Sequence, residues 1–235
     1  MKSHELAPVL SALALLSLAT PSEAAITSSG RPAGTFRVPY STQLVMSGVD
    51  AASISGSVGG WSWQDNDATQ SAGGTPMGWS HESKWIALTL TEATELTMRL
   101  EPKADIPSTQ SSTGFHGGNL FPGATLWSNW QTTDWPEGST RQNHVYHNSA
   151  VITWAPSLEY IGNIPGGAAN TVHATFSLLP GTYTLVIGGN GSSVDEDPTQ
   201  GFQATFTSVP EPGSALLVLL GAAFPALRRH RQSRA

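Results

Sequence analysis

Leu96-Thr97-Met98-Arg99-Leu100 alternates apolar and polar side chains without a break. That period fits a half-buried strand, because successive side chains of an extended chain point to opposite faces. One face of this strand is buried and the other wet. Just before it, residues 84–90 read as a partner strand, joined to it through Thr91-Glu92-Ala93-Thr94. Further out, 36–40, 43–46, 54–63, 121–127, 151–154, 171–178, 182–188 and 202–208 are short strand candidates separated by turn residues. Leu179-Pro180-Gly181 is a tight turn between two of them. Residues 102–118 and 129–143 are long polar loops, and Pro156 at a first-turn position predicts a short helix over 156–161. Many short strands, long loops and almost no helix predict an all-β fold: an antiparallel β-sandwich, jelly-roll-like, with long functional loops.

The ends of the 235-residue chain read differently from its middle. An apolar run over 6–19 follows Lys2, and Ser22-Glu23-Ala24 has small residues where a signal peptidase reads. Residues 1–24 are therefore expected to be a secretory signal peptide, cut after Ala24 or Ala25. Residues 25–35, rich in Ser, Gly, Thr and Pro, read as a flexible leader, 36–208 as the sandwich domain and 209–235 as a sorting segment. The chain has no cysteine, which excludes a disulfide framework and any thiolate metal site. Between residues 25 and 213 six Lys and Arg face fifteen Asp and Glu, a net charge of about −9. Nucleic acid and anionic lipid are poor partners for such a surface, whereas cations are good ones. A nucleophile elbow, a phosphate loop, an His-Glu-x-x-His helix and a dinucleotide fingerprint are all missing from the sequence, so the expectation is a protein that is not an enzyme.

At the C-terminus, Val209-Pro210-Glu211-Pro212-Gly213 precedes an apolar run over 215–227 and then Arg228, Arg229, Arg231 and Arg234. The run is shorter than the ~20 residues of a usual spanning helix. Pro-Glu-Pro, a short apolar segment and an arginine cluster, in that order, resemble the PEP-CTERM sorting signal of Gram-negative bacteria that make extracellular polysaccharide. The resemblance implies transient membrane anchoring and removal of the tail by an exosortase-type enzyme. It implies a final place at the cell surface or in an extracellular biofilm matrix, with polysaccharide or the cell envelope as partner.

Trp79-Ser80-His81 lies where a glycine-rich loop runs into the strand at 84. Two residues apart on an extended chain, the indole and imidazole face the same space. The plain alternative is aromatic packing beside a half-buried histidine. His173 reads as a solvent-facing strand residue and His116, among glycines, as a mobile loop residue. His81 and the segment His144-Val145-Tyr146-His147 remain as metal-ligand candidates, imidazole being a common ligand that tolerates an oxidising exterior. Asp65, Asn66 and Asp67, or Asp195, Glu196 and Asp197, supply the oxygen donors calcium prefers, and otherwise read as solvated turns.

These residues belong to a longer pattern. Trp79-Ser80-His81-x-Ser83-Lys84-Trp85-x-x-Leu88-x-Leu90, Asn119-Leu120-x-Pro122-x-x-x-Leu126-Trp127 and His144-x-Tyr146-x-Asn148 are followed by Trp154-Ala155-x-x-Leu158-Glu159-Tyr160-Ile161 and Leu179-Pro180-Gly181-x-Tyr183-Thr184-x-x-x-Gly188-Gly189-Asn190. In that order they resemble the methanotroph surface copper-binding proteins of the MopE and CorA type. The resemblance implies copper(I) held by two histidines and by a tryptophan oxidised to kynurenine two positions before the first of them. Here those positions are Trp79, His81 and His144, with His147 in reserve. The chemistry is coherent: copper(I) accepts few ligands, imidazole suits it, and oxidative opening of an indole creates an aryl amine donor. Two other readings compete: a metal-free structural or adhesive matrix component, and a carbohydrate-binding sandwich that uses some of the eight tryptophans as stacking platforms.

Overall fold

The alternating stretch lies inside a nine-residue strand, and Leu96, Met98 and Leu100 are all fully buried. The computed structural model describes residues 22–27, 30–36, 38–60, 62–64, 78–79, 82–108, 114–133, 155–164, 171–190 and 199–211. In chain order the strands are β1 (Ser22–Glu23), β2 (Ala25–Thr27), β3 (Tyr40–Met46), β4 (Asp50–Gly59), β5 (Trp63–Gln64), β6 (Gly78–Trp79) and β7 (Lys84–Leu90). They continue with β8 (Thr94–Pro102), β9 (Phe121–Ser128), β10 (Glu159–Ile164), β11 (Val172–Leu178), β12 (Gly181–Asn190) and β13 (Thr199–Pro210). A five-stranded sheet has the order β1-β4-β13-β8-β11 and a six-stranded sheet the order β10-β9-β12-β7-β3-β2, while β5 and β6 form a small ribbon. The fold is all-β, with no helix among the described residues.

Leu44, Leu88, Leu126 and Leu185 from the six-stranded sheet meet Met98, Leu100, Phe202 and Phe206 from the five-stranded one. Each such side chain contributes roughly 1.5–3 kcal/mol by leaving water. The strands expected over 43–46, 84–90, 95–100, 121–127, 171–178, 182–188 and 202–208 are all present, and Leu179-Pro180 makes the tight β11–β12 connection. The strand expected over 54–63 is β4, which starts earlier, at Asp50. That carboxylate accepts hydrogen bonds from Ser47 N and from Ser47 Oγ (2.8 Å), which closes the preceding turn. The candidate over 151–154 lies outside the described residues.

The expected antiparallel β-sandwich is present, with two parallel pairings within it, β3 with β7 and β1 with β4. The chain runs down β3, up β4 in the other sheet, and down β7 beside β3. With β4 in the other sheet and the β5–β6 ribbon apart from both sheets, the chain returns to the six-stranded sheet in the direction of β3. The helix expected over 156–161 is instead a turn, with Leu158 N donating to Ala155 O at 3.1 Å, followed by β10. Pairing of Glu159–Ile164 with β9 satisfies its backbone on one side, and a register shift between Tyr160 and Gly162 keeps Tyr160 over Trp127.

Segment 25–35, read as a leader, supplies β2 at the edge of the six-stranded sheet. Residue Ala24 before it is buried, its N–H donating to Ala51 O at 3.1 Å. No helix among the described residues is long and apolar enough to cross a membrane.

Candidate functional site

The central strands of the six-stranded sheet, β9, β12 and β7, are buried on both faces. Along β7, Trp85, Ile86, Ala87 and Leu88 are all buried: the even positions enter the sandwich core and the odd ones a second cluster outside the sheet. That outer cluster holds Tyr40, Trp63, Trp79, Trp85, Trp127, Ala155, Leu158 and Val186. A bulge between Tyr40 and Thr42 turns Tyr40 outward while Thr42 and Leu44 stay in register with β7. This local kink is what a bulge does to a strand.

Trp79 is 4 % exposed and lies opposite Trp63 in the β5–β6 ribbon. Its ring meets Trp85 edge-on at 4.4 Å between centroids, and Trp85 meets Tyr40 edge-on at 6.5 Å. Such pairs are worth roughly 0.5–1.5 kcal/mol beyond their area. Trp63 lies flat over β9 and β12 because Gly123 and Gly188 leave room for it. A Cβ at Gly188 would come within 2.8 Å of Trp63 Cβ, and one at Gly123 would meet the indole ring itself. Glu82, shortly before β7, has φ 67°, and its carbonyl accepts Gly59 N–H at 3.0 Å. A left-handed glutamate is a strained conformation held in place by its surroundings.

The polar groups of this layer are satisfied mainly by one another. The Tyr40 hydroxyl donates to Thr184 Oγ1 (2.7 Å), which in turn donates to Asn129 O (2.7 Å), and the same phenol oxygen accepts Gln131 N–H at 3.2 Å. Gln131 is fully buried. Its Nε2 donates to Thr133 Oγ1 (3.0 Å), its Oε1 accepts Ser157 N–H (3.0 Å), and Thr133 and Ser157 hydroxyls stand 3.3 Å apart. Trp63 Nε1 donates to Thr125 Oγ1 at 3.4 Å, and Trp130 Nε1 donates to Leu88 O (3.2 Å) and Tyr183 O (3.1 Å). The buried Trp127 Nε1 has no acceptor among the described residues. Burial pushes the Tyr40 phenol above its ordinary range, against the opposing hydrogen bonds from Thr184 and Gln131. Burial likewise raises Tyr160 and Tyr183 and lowers the Lys84 ammonium at the start of β7.

Of the predicted ligands only Trp79 is described. His81, His144, His147, Asp65 and Asp67 lie outside the described residues, as do Asn66, Asp195, Glu196 and Asp197. Among the described residues no group of three or more histidine or acidic side chains is placed to share an ion. Intact Trp79 is a donor only, with no lone pair for a metal, so the described residues alone do not make a copper site. Both flanks of segment 134–154, which carries His144 and His147, belong to the layer that holds Trp79. Ala155 is packed in the same cluster, and Gln131 and Thr133 bind Ser157 across the segment's two ends. His173 is exposed on β11, as expected. His116 is held rather than loose: its N–H donates to Ile106 O (2.9 Å) and its Nδ1 lies 2.6 Å from Thr199 Oγ1.

No protein-family profile and no curated protein matches the chain. Among solved structures it is similar to CorA, described as a surface-associated copper-binding protein important in Methylomicrobium album copper acquisition. Identity is 14 %, with 72 % of this chain and 100 % of that one covered at a TM-score of 0.40. It is similar to the Methylococcus capsulatus secreted protein MopE, in which an oxidized tryptophan facilitates copper binding. Here identity is 15 %, covering 80 % and 94 % of the two chains at a TM-score of 0.38. It is also similar to the pre-peptidase C-terminal domain of a Bacillus anthracis collagenase, at 11 % identity over 73 % and 99 % with a TM-score of 0.33. Likeness this distant carries no argument about function.

Proposed function

We propose that this chain is an exported surface protein that binds copper(I) through His81 and His144, with Trp79, in oxidised form, as the third donor and His147 as the reserve ligand. What carries the reading is a shared layer. Trp79 and both flanks of the segment bearing His144 are built into one aromatic cluster on the outer face of the six-stranded sheet. The spacing Trp79-Ser80-His81 then puts one imidazole two residues from that cluster. Two neutral imidazoles and an aryl amine are nitrogen donors of the kind copper(I) accepts where thiolates are absent. The acidic surface favours cation capture, and the absence of cysteine suits an oxidising exterior. The PEP-CTERM-like tail would deliver the protein to the surface and be removed there by an exosortase-type enzyme.

The test is metal analysis of protein isolated from its host, with peptide mass spectrometry over Trp79. Stoichiometric copper and an oxidised Trp79 support the proposal. Host protein free of copper overturns it in favour of a second reading, a metal-free structural component of the surface or matrix. One observation favours that second reading: Trp79 is packed against Trp85 as an ordinary core residue would be. Trp63, Trp79, Trp85 and Trp127 are buried, and Trp130 is half-buried with its N–H turned onto the sheet backbone, so these five of the eight rings offer no open platform. The carbohydrate-stacking alternative then rests on Trp61, Trp135 and Trp154, which lie outside the described residues.

A further inference from the structure

Every strand of the sandwich runs between two ends. At one end lie the starts of β7 and β13, Gly59, and the β5–β6 ribbon with Trp79. At the other lie the connections 47–49, 91–93 and 179–180, and there β13 finishes. Along β13 from Thr199 to Pro210 the ends are separated by roughly 35 Å at the usual rise of a strand.

The last strand is paired through its final residue. Pro210 is still in register with Thr94, and Glu211 N–H points to Ala93 O at 3.5 Å. Pro210 Cγ stands 3.3 Å from where a Cβ at Gly48 would be. In sequence, the apolar run begins at Ala215. The three residues between Glu211 and Ala215 reach little more than about 10–13 Å when fully extended. Whatever holds the apolar run therefore lies against the end of the sandwich where β13 finishes. The N-terminal side of the domain meets the same end: Ala25 pairs with Val45, one residue from the end of β3. This end also carries apolar side chains facing outward, Leu179 at 69 % and Val209 at 48 % exposure. Its turns bear the exposed Glu92, with Glu211 just after β13, and neither lysine nor arginine, Asp50 being buried at the start of β4.

We propose that, while the tail is in place, the sandwich stands upright on a zwitterionic lipid surface. It rests on the 47–49, 91–93 and 179–180 connections and holds Trp79 at the far end. The proposal rests on the reading of the C-terminal segment as a membrane-seated sorting tail. The short reach from Glu211 to Ala215 sets which end meets the surface, and Leu179 and Val209 make the apolar contact. The acidic turns make anionic headgroups the poorer surface. A copper site at Trp79 would then face away from the membrane before the tail is cut.

The chain has no native cysteine, so single labels can be placed freely. Glu92→Cys marks the β7–β8 turn at the lipid end, and Asp105→Cys marks the exposed turn after β8 at the far end. Each full-length variant, tail included, is labelled with a fluorophore and reconstituted with phosphatidylcholine vesicles containing a nitroxide-headgroup lipid. Flotation and quenching are then measured on the same sample. Co-flotation with quenching several-fold stronger for the Glu92→Cys label, and a difference abolished by a flexible glycine-serine insertion between Pro210 and Glu211, supports the proposal. Flotation with equal or reversed quenching refutes the upright orientation and leaves the tail reading standing. Failure to float overturns both.

Discussion

Replacing Tyr40 with phenylalanine removes one oxygen from the centre of the outer layer and keeps the ring that packs on Trp85. The Thr184 hydroxyl keeps its own acceptor, Asn129 O, and loses only an incoming bond. The buried Gln131 N–H loses its acceptor altogether. Stranding a buried amide costs about 1–3 kcal/mol, which for a domain of this size lowers Tm by roughly 2–4 °C per kcal/mol. Urea denaturation of Tyr40→Phe at neutral pH should therefore show a lower midpoint with an unchanged m-value. A second signature comes from pH. The folded pKa of Tyr40 is raised, so its stabilising contribution is fully present below the unfolded value of about 10 and is lost as pH rises through the folded value. Above pH ~10 the native protein should lose stability more steeply than Tyr40→Phe, by up to ~1.4 kcal/mol per pH unit for this one group. Because Gln131 ties together the flanks of segment 134–154, proteolysis within that segment should also quicken. An unchanged midpoint at neutral pH, or parallel alkaline limbs, would refute the account of this network.

Gly123→Ala should destabilise by about 1–3 kcal/mol or more through overpacking, since the added methyl meets the Trp63 ring; thermal melting checks it, and near-ultraviolet dichroism should report displacement of that indole. Asp50→Ala removes the acceptor that closes the 47–49 turn and should cost about 1.5–3 kcal/mol in chemical denaturation, whereas Asp50→Asn should recover part of it. Asn129 has φ 67°, so Asn129→Ala should cost about 1 kcal/mol and Asn129→Gly little, a contrast that separates backbone strain from loss of the side chain.

The inner core was legible because its strands alternate. Leu96, Met98 and Leu100 could face only one way, and β11 with β13 follows the same rule. The outer layer was not, because a strand buried on both faces carries no period. Trp85-Ile86-Ala87-Leu88 in β7 and Ala124 through Trp127 in β9 are continuous buried runs, and that continuity was the available signal. The buried hydroxyls of Thr184 and Thr125 find their partners, Tyr40 and Trp63, only in the folded layer. The bulge that turns Tyr40 outward has no mark in the sequence. The helix expected at 156–161 failed because a first-turn proline is equally at home in a turn, and Gly162 with edge pairing to β9 favoured the strand. Trp79 was legible as a position of interest. Its packing partner Trp85, six residues on, required the β5–β6 ribbon to be known.

The central claim is that one copper(I) ion is shared by two imidazoles carried on distant segments beside Trp79. Its most direct measurement is competitive copper(I) titration under anaerobic conditions, using host-derived protein beside His81→Ala, His144→Ala and His147→Ala variants from the same host. The account predicts one tightly held copper per chain, lost in His81→Ala and in His144→Ala and retained in His147→Ala. Stoichiometric copper(I) retained by both His81→Ala and His144→Ala would contradict it.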